Sequence, residues 1–464
     1  MQSVLSFFAK YKEQYRQNLM LAFPVVLTQL GQILTQVVDN LMVGNYGGDA
    51  PEPLAAVSFG GSVYMLLFLA SIGMALGLTP LIGELYVQGD RKRSAALLQN
   101  GALFYILLGL LVSAFQYATI PLLYRLGQPA EVVAMAIPYY RMLIMSMPFI
   151  MLFFVFKQFL EGVGNTKAEL AVTIVANLAN CIFNYIFIYG RFGFREMGVE
   201  GASLGTLLAR IIASVLITAY FIRRADYRAY LKDFAFRLFS LRDIRRLLCM
   251  GLPISAQMFL ESSAFIGTSI MMGWFGKEAM SANQITGTLS NSAFMIVLSI
   301  GAATTIRTSH CYGRRDTREL AMAVKASYHL VLAWNALAAV VFISLCGFLP
   351  TLFTTNAEVI GIASTLFVFT AFFQLSDGLQ NVSVGVLRGI QDVKIIMPIA
   401  FIAYWLLNLP VGYLFAFTLG MGPQGLYIGF VVGLSVAAVL LIFRIRRRIR
   451  TLAERFGKKQ EDKL

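Results

Sequence analysis

Charged side chains are what this sequence has least of for its length. They make up 13% of its 464 residues, against 58% hydrophobic, and the mean hydropathy is +0.70. A soluble domain of this size could not cover its surface with so few charges, so a soluble enzyme or scaffold is excluded. Histidine is scarcer still: His310 and His329 stand too far apart to form a local metal motif. The four cysteines, Cys181, Cys249, Cys311 and Cys346, lie in or beside apolar segments without metal-ligand spacing, so neither a disulfide frame nor a zinc site is implied. The phosphate-cradling GxxxxGK followed by Ser or Thr is absent, as are GxSxG and HExxH. ATP is therefore not the direct energy source, no enzyme constellation is present, and no cofactor or metal is expected. The opening MQSVLSFFAKYKEQYRQ lacks a signal peptide's order of basic, apolar and small residues. Residues 1–16 read instead as an interfacial helix on the cytoplasmic surface.

What the chain has in abundance is apolar runs of spanning length. They fall near 17–43, 54–83, 94–118, 131–157, 167–190, 199–222, 243–273, 279–306, 319–347, 357–387, 395–419 and 422–445. Each is near or above the roughly 20 residues a bilayer requires, so the fold class is an all-α polytopic membrane protein with about twelve transmembrane helices. The net charge of +14 does not form a nucleic-acid patch, because the basic residues recur in alternate loops: 88–93, 164–167, 223–246, 312–318, 388–394 and 444–450. By the positive-inside rule both termini are cytoplasmic.

An internal repeat divides the chain. Pro24 and the run to GNYGG match Pro253 and the run to GWFGK; FLEGVGNT (159–166) matches VLRGIQDV (386–393); GVEGASLG (198–205) matches GPQGLYIG (422–429). The expected organisation is an N-lobe over 17–222, a cytoplasmic linker over 223–242, a C-lobe over 243–445 and a tail over 446–464, with two pseudo-symmetric six-helix lobes flanking a cleft.

Polar residues at membrane depth carry the functional signal, since a buried carboxylate there is costly without a role. Gln29, Gln32, Gln36 and Asp39 recur at spacings of three and four on one helix face, as do Asn177, Asn180 and Asn184 on another, with Thr206 opening a third. Together they offer a hard cation, or a proton, a carboxylate and neutral oxygens; the competing reading is polar glue between packed helices. In the second half Gln257 and Glu261 lie one turn apart, Asp377 is followed by Gln380 and Asn381, and Gln284, Thr288 and Asn291 recur at helical spacing. Convergence of Glu261 and Asp377 would favour cation or proton uptake; separate hydrogen bonds would not. Arg210, also at membrane depth, reads either as a counter-ion or as a structural group. Gln32, Tyr64, Met65, Phe68, Met258, Phe265, Met295 and Phe373 are candidates for lining a cleft that takes a flat lipophilic cation, with core packing or lipid contact as the alternative for each.

The motifs VVDNLMVG, EGVGNT, GASLGT, TIRTSHCYG and LRGIQD, in this order and partly duplicated, resemble the multidrug and toxic compound extrusion (MATE) family in its NorM-like branch, over essentially the whole chain. The resemblance implies a monomeric twelve-helix inner-membrane antiporter that expels small cationic, amphipathic drugs in exchange for Na⁺ or H⁺, with lipid as its surroundings. It also implies an N-lobe coupling site at Asp39 with Asn180 and Asn184, joined here by Gln36 and Thr206. The corresponding C-lobe site is Glu261 and Asp377, joined by Gln284 and Asn381. Asn184 replaces an acid of some relatives, and Phe373 replaces a tyrosine of some of the branch. A lipid-linked saccharide flippase of related fold is the alternative, but it requires a basic cleft for a pyrophosphate.

Overall fold

The computed structural model describes residues 2–47, 52–126, 128–232, 234 and 239–461. The expected loop 45–53, the linker and the end of the tail therefore lie partly outside the described residues. The described ones form helices with no strand. The long helices are α1 (Gln2–Gly47), α2 (Glu52–Ala75), α3 (Leu78–Val87), α4 (Arg91–Ala118), α5 (Ala130–Gly162), α6 (Thr166–Ile188) and α7 (Val199–Arg223). After the short α8 (Ala225–Lys232) come α9 (Leu241–Gly273), α10 (Lys277–Arg314), α11 (Thr317–Ser344) and α12 (Ala357–Gly389). The chain ends with α13 (Ile396–Ala400), α14 (Leu409–Tyr413) and α15 (Pro423–Glu461).

Eleven of the described helical stretches are long and apolar enough to cross a membrane, with α2 and α3 counted as one stretch and α13 and α14 as another. The long helix outside that set is α9, which Ser255, Gln257, Glu261, Ser262 and Ser263 interrupt. Between α13 and α14, and again after α14, the backbone widens into π turns over Phe401–Asn408 and Leu414–Thr418. Pro410 has no N–H for the Leu406 carbonyl, so an unbroken α ladder cannot run through this stretch.

Residues 1–16 do not stand apart as an interfacial helix, because α1 runs unbroken from Gln2 through Pro24. No helix breaker lies between Lys10 and Phe23, and the helix carries its one proline without ending there.

The chain forms two compact units, and their boundaries fall inside helices rather than in the linker. The first unit comprises Met1–Val26 with Ala256–Leu464; the second is Leu27–Ser255. Both crossover points lie just beyond a repeat proline, Pro24 in α1 and Pro253 in α9. In the first unit, Arg307 of α10 donates to the Gln14 carbonyl at 3.0 Å, to Gln14 Oε1 at 2.6 Å and to Asn18 Oδ1 at 3.0 Å. Asn18 in turn donates to Ser327 Oγ at 2.9 Å, and the Tyr15 hydroxyl meets His329 Nδ1 at 2.8 Å. In the second unit, Arg246 reaches Glu84 at 2.9 Å, Ser255 Oγ donates to the Ala70 carbonyl at 2.5 Å, and Gly251 lies against Met74 with no room for a Cβ.

Each unit repeats the other's local chemistry. The Thr79 hydroxyl donates to the Gln158 carbonyl at 3.2 Å, and Thr305 donates to the matching Gly385 carbonyl at 3.1 Å. Asp90 and Asp316 cap α4 and α11 through the amides of Arg93 and Glu319. After α5 the Asn165 side chain donates to the Tyr220 hydroxyl at 3.1 Å; after α12 Asp392 accepts from Arg444 Nε at 2.8 Å. The repeat keeps the first two joints in kind and changes the third from neutral to ionic.

Candidate coupling sites

In the second unit the two polar stripes meet. Asp39 on α1 accepts a hydrogen bond from Asn184 Nδ2 of α6 at 2.6 Å, and the same nitrogen lies 3.4 Å from Asn180 Oδ1. Asn180, one turn earlier, donates to Thr206 Oγ1 of α7 at 3.4 Å. With its amide turned over, Asn180 instead donates to both Asp39 oxygens, at 2.9 and 3.3 Å, and accepts from the Thr206 amide at 3.3 Å. Either way one carboxylate, two amide side chains and a hydroxyl come together where three helices meet, and the carboxylate among them can take a proton or a hard cation. Asn184 Oδ1 is buried without a hydrogen bond and lies against Gly205, where a Cβ would occupy its place. Gln36 and Gln32 share the α1 stripe and are exposed.

In the first unit Glu261 on α9 accepts from Gln257 Nε2 at 2.5 Å, and Gln257 Oε1 accepts from Arg388 Nη2 of α12 at 2.9 Å. The Tyr404 hydroxyl stands beside Glu261 and donates to Gln380 Oε1 at 3.3 Å. Asp377 on α12 is buried, interacts electrostatically with Glu261, and has one oxygen without a hydrogen-bond partner. The two acids therefore act on one another. Gln284 is exposed on α10, and among the described residues no hydrogen bond joins it to either acid. Asn381 faces α10, packed against Gly301.

The candidate cleft residues separate by environment. Tyr64 and Phe373 are buried, the former with its ring on Phe68 at 5.3 Å and the latter among Tyr427 and Phe430. Phe265 is exposed yet stacks on Phe430 at 4.5 Å. Met65 is exposed, and Phe68, Met258 and Met295 are partly so.

Two residues escaped the sequence reading. Arg388 counts there as a loop cation, although its guanidinium turns back to the Gln257–Glu261 pair. Asn408, buried with both amide atoms unpartnered, precedes Gly429 by the same interval as Asn184 precedes Gly205, and Gly429 likewise lies against it. Carrying the GVEGASLG and GPQGLYIG alignment one helix upstream would have found it.

Arg388 offers a direct check on the first-unit cluster. Arg388→Gln, Glu261→Gln and the double variant should show a coupling of about 1 kcal/mol in thermal unfolding of the detergent-solubilised protein, because either single change leaves a charge without its counterpart. Additive single effects would separate the two groups energetically.

The sequence profile described as MatE matches residues 24–186 and again 253–414, each match beginning on a repeat proline. Multidrug resistance protein MdtK of Photorhabdus laumondii is 31% identical over 441 residues, 94% of this chain and 96% of the relative. Multidrug resistance protein NorM of Photobacterium profundum shows the same identity and coverage. Among solved structures, an outward-facing multidrug resistance MATE family transporter of the MOP superfamily aligns with a TM-score of 0.86 at 22% identity, over 95% of this chain and 97% of the other. The Vibrio cholerae MATE transporter VcmN in its bent form aligns with a TM-score of 0.85 at 20% identity, over 96% and 99%. These likenesses at low identity establish the fold.

Proposed function

The chain belongs to the MatE family, and we propose that it is a multidrug efflux antiporter that exports cationic amphipathic compounds in exchange for Na⁺ or H⁺. The observation that carries this reading is the Asp39 carboxylate held by Asn184 and Asn180 inside an otherwise apolar span. A carboxylate in such a place binds a small cation or a proton, and binding neutralises it. Glu261 and Asp377 supply a second acidic centre in the other unit. An ion loaded on these acids removes the negative charge that attracts a cationic drug, so ion and drug oppose one another, and the linkage is reciprocal. The protein works as a monomer in the cell inner membrane with both termini cytoplasmic.

The test is efflux of one fluorescent cation from proteoliposomes, first with an imposed Na⁺ gradient and then with an imposed pH gradient. Acceleration by one gradient identifies the coupling ion. No acceleration by either would sink the antiport reading.

A further inference from the structure

Two cations inside the helices of the second unit are used differently. Arg210 of α7 donates to the Tyr64 hydroxyl at 2.5 Å and to Ser146 Oγ at 2.6 Å, both neutral, so it is a structural group and not a counter-ion. Lys157 of α5 sits instead between two acids. Its Nζ lies 2.7 Å from Glu169 Oε1 of α6 and 3.8 Å from Glu161 Oε1, one turn further along α5. Both acids are buried, Glu169 completely. Neither belongs to the Asp39 site, because Glu169 stands about 16 Å from Asn180 along the α6 axis.

Two carboxylates face one ammonium here, and the charges do not balance. The Glu161 and Glu169 carboxyls also stand within hydrogen-bonding reach of each other, although each can only accept when ionised. Lys157 and Glu169 are the charged groups that act on Glu161, and the two acids are those that act on Lys157. From α3 comes the neutral Thr79 hydroxyl, which donates to Gln158 Oε1 at 2.5 Å and lies 3.5 Å from Glu161 Oε2; the α3 acid Glu84 pairs with Arg246. From α7 come Phe221, packed on Phe156 and Phe159 of α5, and Tyr220, whose hydroxyl accepts from Asn165. Two buried atoms are left unmet: Glu169 Oε2, which needs a donor, and Gln158 Nε2, on an amide held beside Glu161 by the shared Thr79. A proton on Glu161 turns that carboxyl into the donor that Glu169 lacks, and it cancels the excess charge. A metal ion fits less well, since Lys157 already fills the place between the acids.

We propose that Glu161 and Glu169 share one bound proton, forming with Lys157 a neutral, buried triad that ties α5 to α6 beside α3. This proton site is additional to the acids of the antiport reading and does not depend on it. It belongs to one unit alone: the repeat sets Val384, Arg388 and Ile396 against Lys157, Glu161 and Glu169, so the other unit has no acid at these positions.

The test is infrared spectroscopy of the full-length protein in nanodiscs at neutral pH, with glutamate carrying carbon-13 at its side-chain carboxyl so that protonated glutamic acid is resolved from aspartic acid. Glu261→Gln is the starting protein, because it removes the acidic glutamate of the other unit. One protonated glutamic acid band is expected there. It should vanish when Glu161→Gln or Glu169→Gln is added, since the remaining acid then pairs with Lys157 as a carboxylate. Adding Lys157→Met instead should raise the band about twofold, because both acids then lose their counter-ion. Absence of the band in Glu261→Gln, which leaves the triad untouched and needs no altered cluster to fold, would overturn the proposal: both acids would be ionised around an ordinary ion-pair lysine. A band that persists unchanged in both Glu161→Gln and Glu169→Gln would overturn it too. Efflux that fails under every gradient, with the band behaving as expected, would count against the antiport reading and not against this site.

Discussion

Asp39→Asn is expected to lower ion-driven efflux about a hundredfold, near the top of the range that coupling free energies of about 1–3 kcal/mol produce. The substitution is nearly isosteric and leaves a side-chain oxygen to accept from Asn184, so the three-helix joint between α1, α6 and α7 can persist. What it removes is the group that changes charge. Without that change, ion and drug no longer compete, and the gradient cannot drive export. The measurement is the initial efflux rate from proteoliposomes under each gradient, with the folded yield followed by size-exclusion chromatography. Full efflux in Asp39→Asn would move coupling to Glu261 and Asp377. Intact efflux in a triple variant with Glu261→Gln and Asp377→Asn as well would end the carboxylate mechanism.

Gly205→Val should be nearly as damaging, though Gly205 carries no functional group. A Cβ at this position falls on Asn184 Oδ1 and comes within 3.2 Å of the Asn184 backbone nitrogen, so α6 and α7 cannot keep their spacing with that side chain in place. Overpacking of this kind costs about 3 kcal/mol, and here the strain falls on the amide that faces Asp39. The expected result is a lower thermal unfolding temperature together with at least about a tenfold loss of ion-driven efflux, since the neighbouring donor is misplaced. Gly205→Ala should show the same loss in milder form. Normal efflux in a folded Gly205→Val protein would show that the Asn184–Asp39 contact is dispensable. The matching contact of Gly429 with Asn408 has no acid to serve, because Thr268 takes Asp39's place in the repeat, so Gly429→Ala should affect stability alone.

Asp39 and the pair Asn180 and Asn184 could be read from their spacing, whereas Thr206 stands alone at a helix start. Residues three and four apart share a helix face whatever the helix packs against, and a polar face within an apolar run has to meet another. The same logic made the helices and the repeat legible. It could not place Arg388, whose long side chain reaches back from a helix end along a path that spacing does not encode. Nor could it separate Gln284, which has the right period and points elsewhere, from Gln380, which meets Tyr404. The boundary of the units was hidden for a related reason: it depends on contacts such as Arg307 with Gln14 and Arg246 with Glu84, between segments far apart in the chain. A polar linker marks where a chain is exposed, but it does not say which side of it packs with what.

The nesting of one unit inside the other dictates an order of assembly. Leu27–Ser255 is complete in itself and can close as soon as its last residues leave the ribosome. Met1–Val26 has a different history. Gln14, Tyr15 and Asn18 find Arg307, Ser327 and His329 only after the whole intervening unit has been synthesised and inserted. Throughout that interval the early half of α1 has no native partner. Cutting the chain between α8 and α9 would not release two independent halves either, because each fragment would lack a strip of helix that only the other carries.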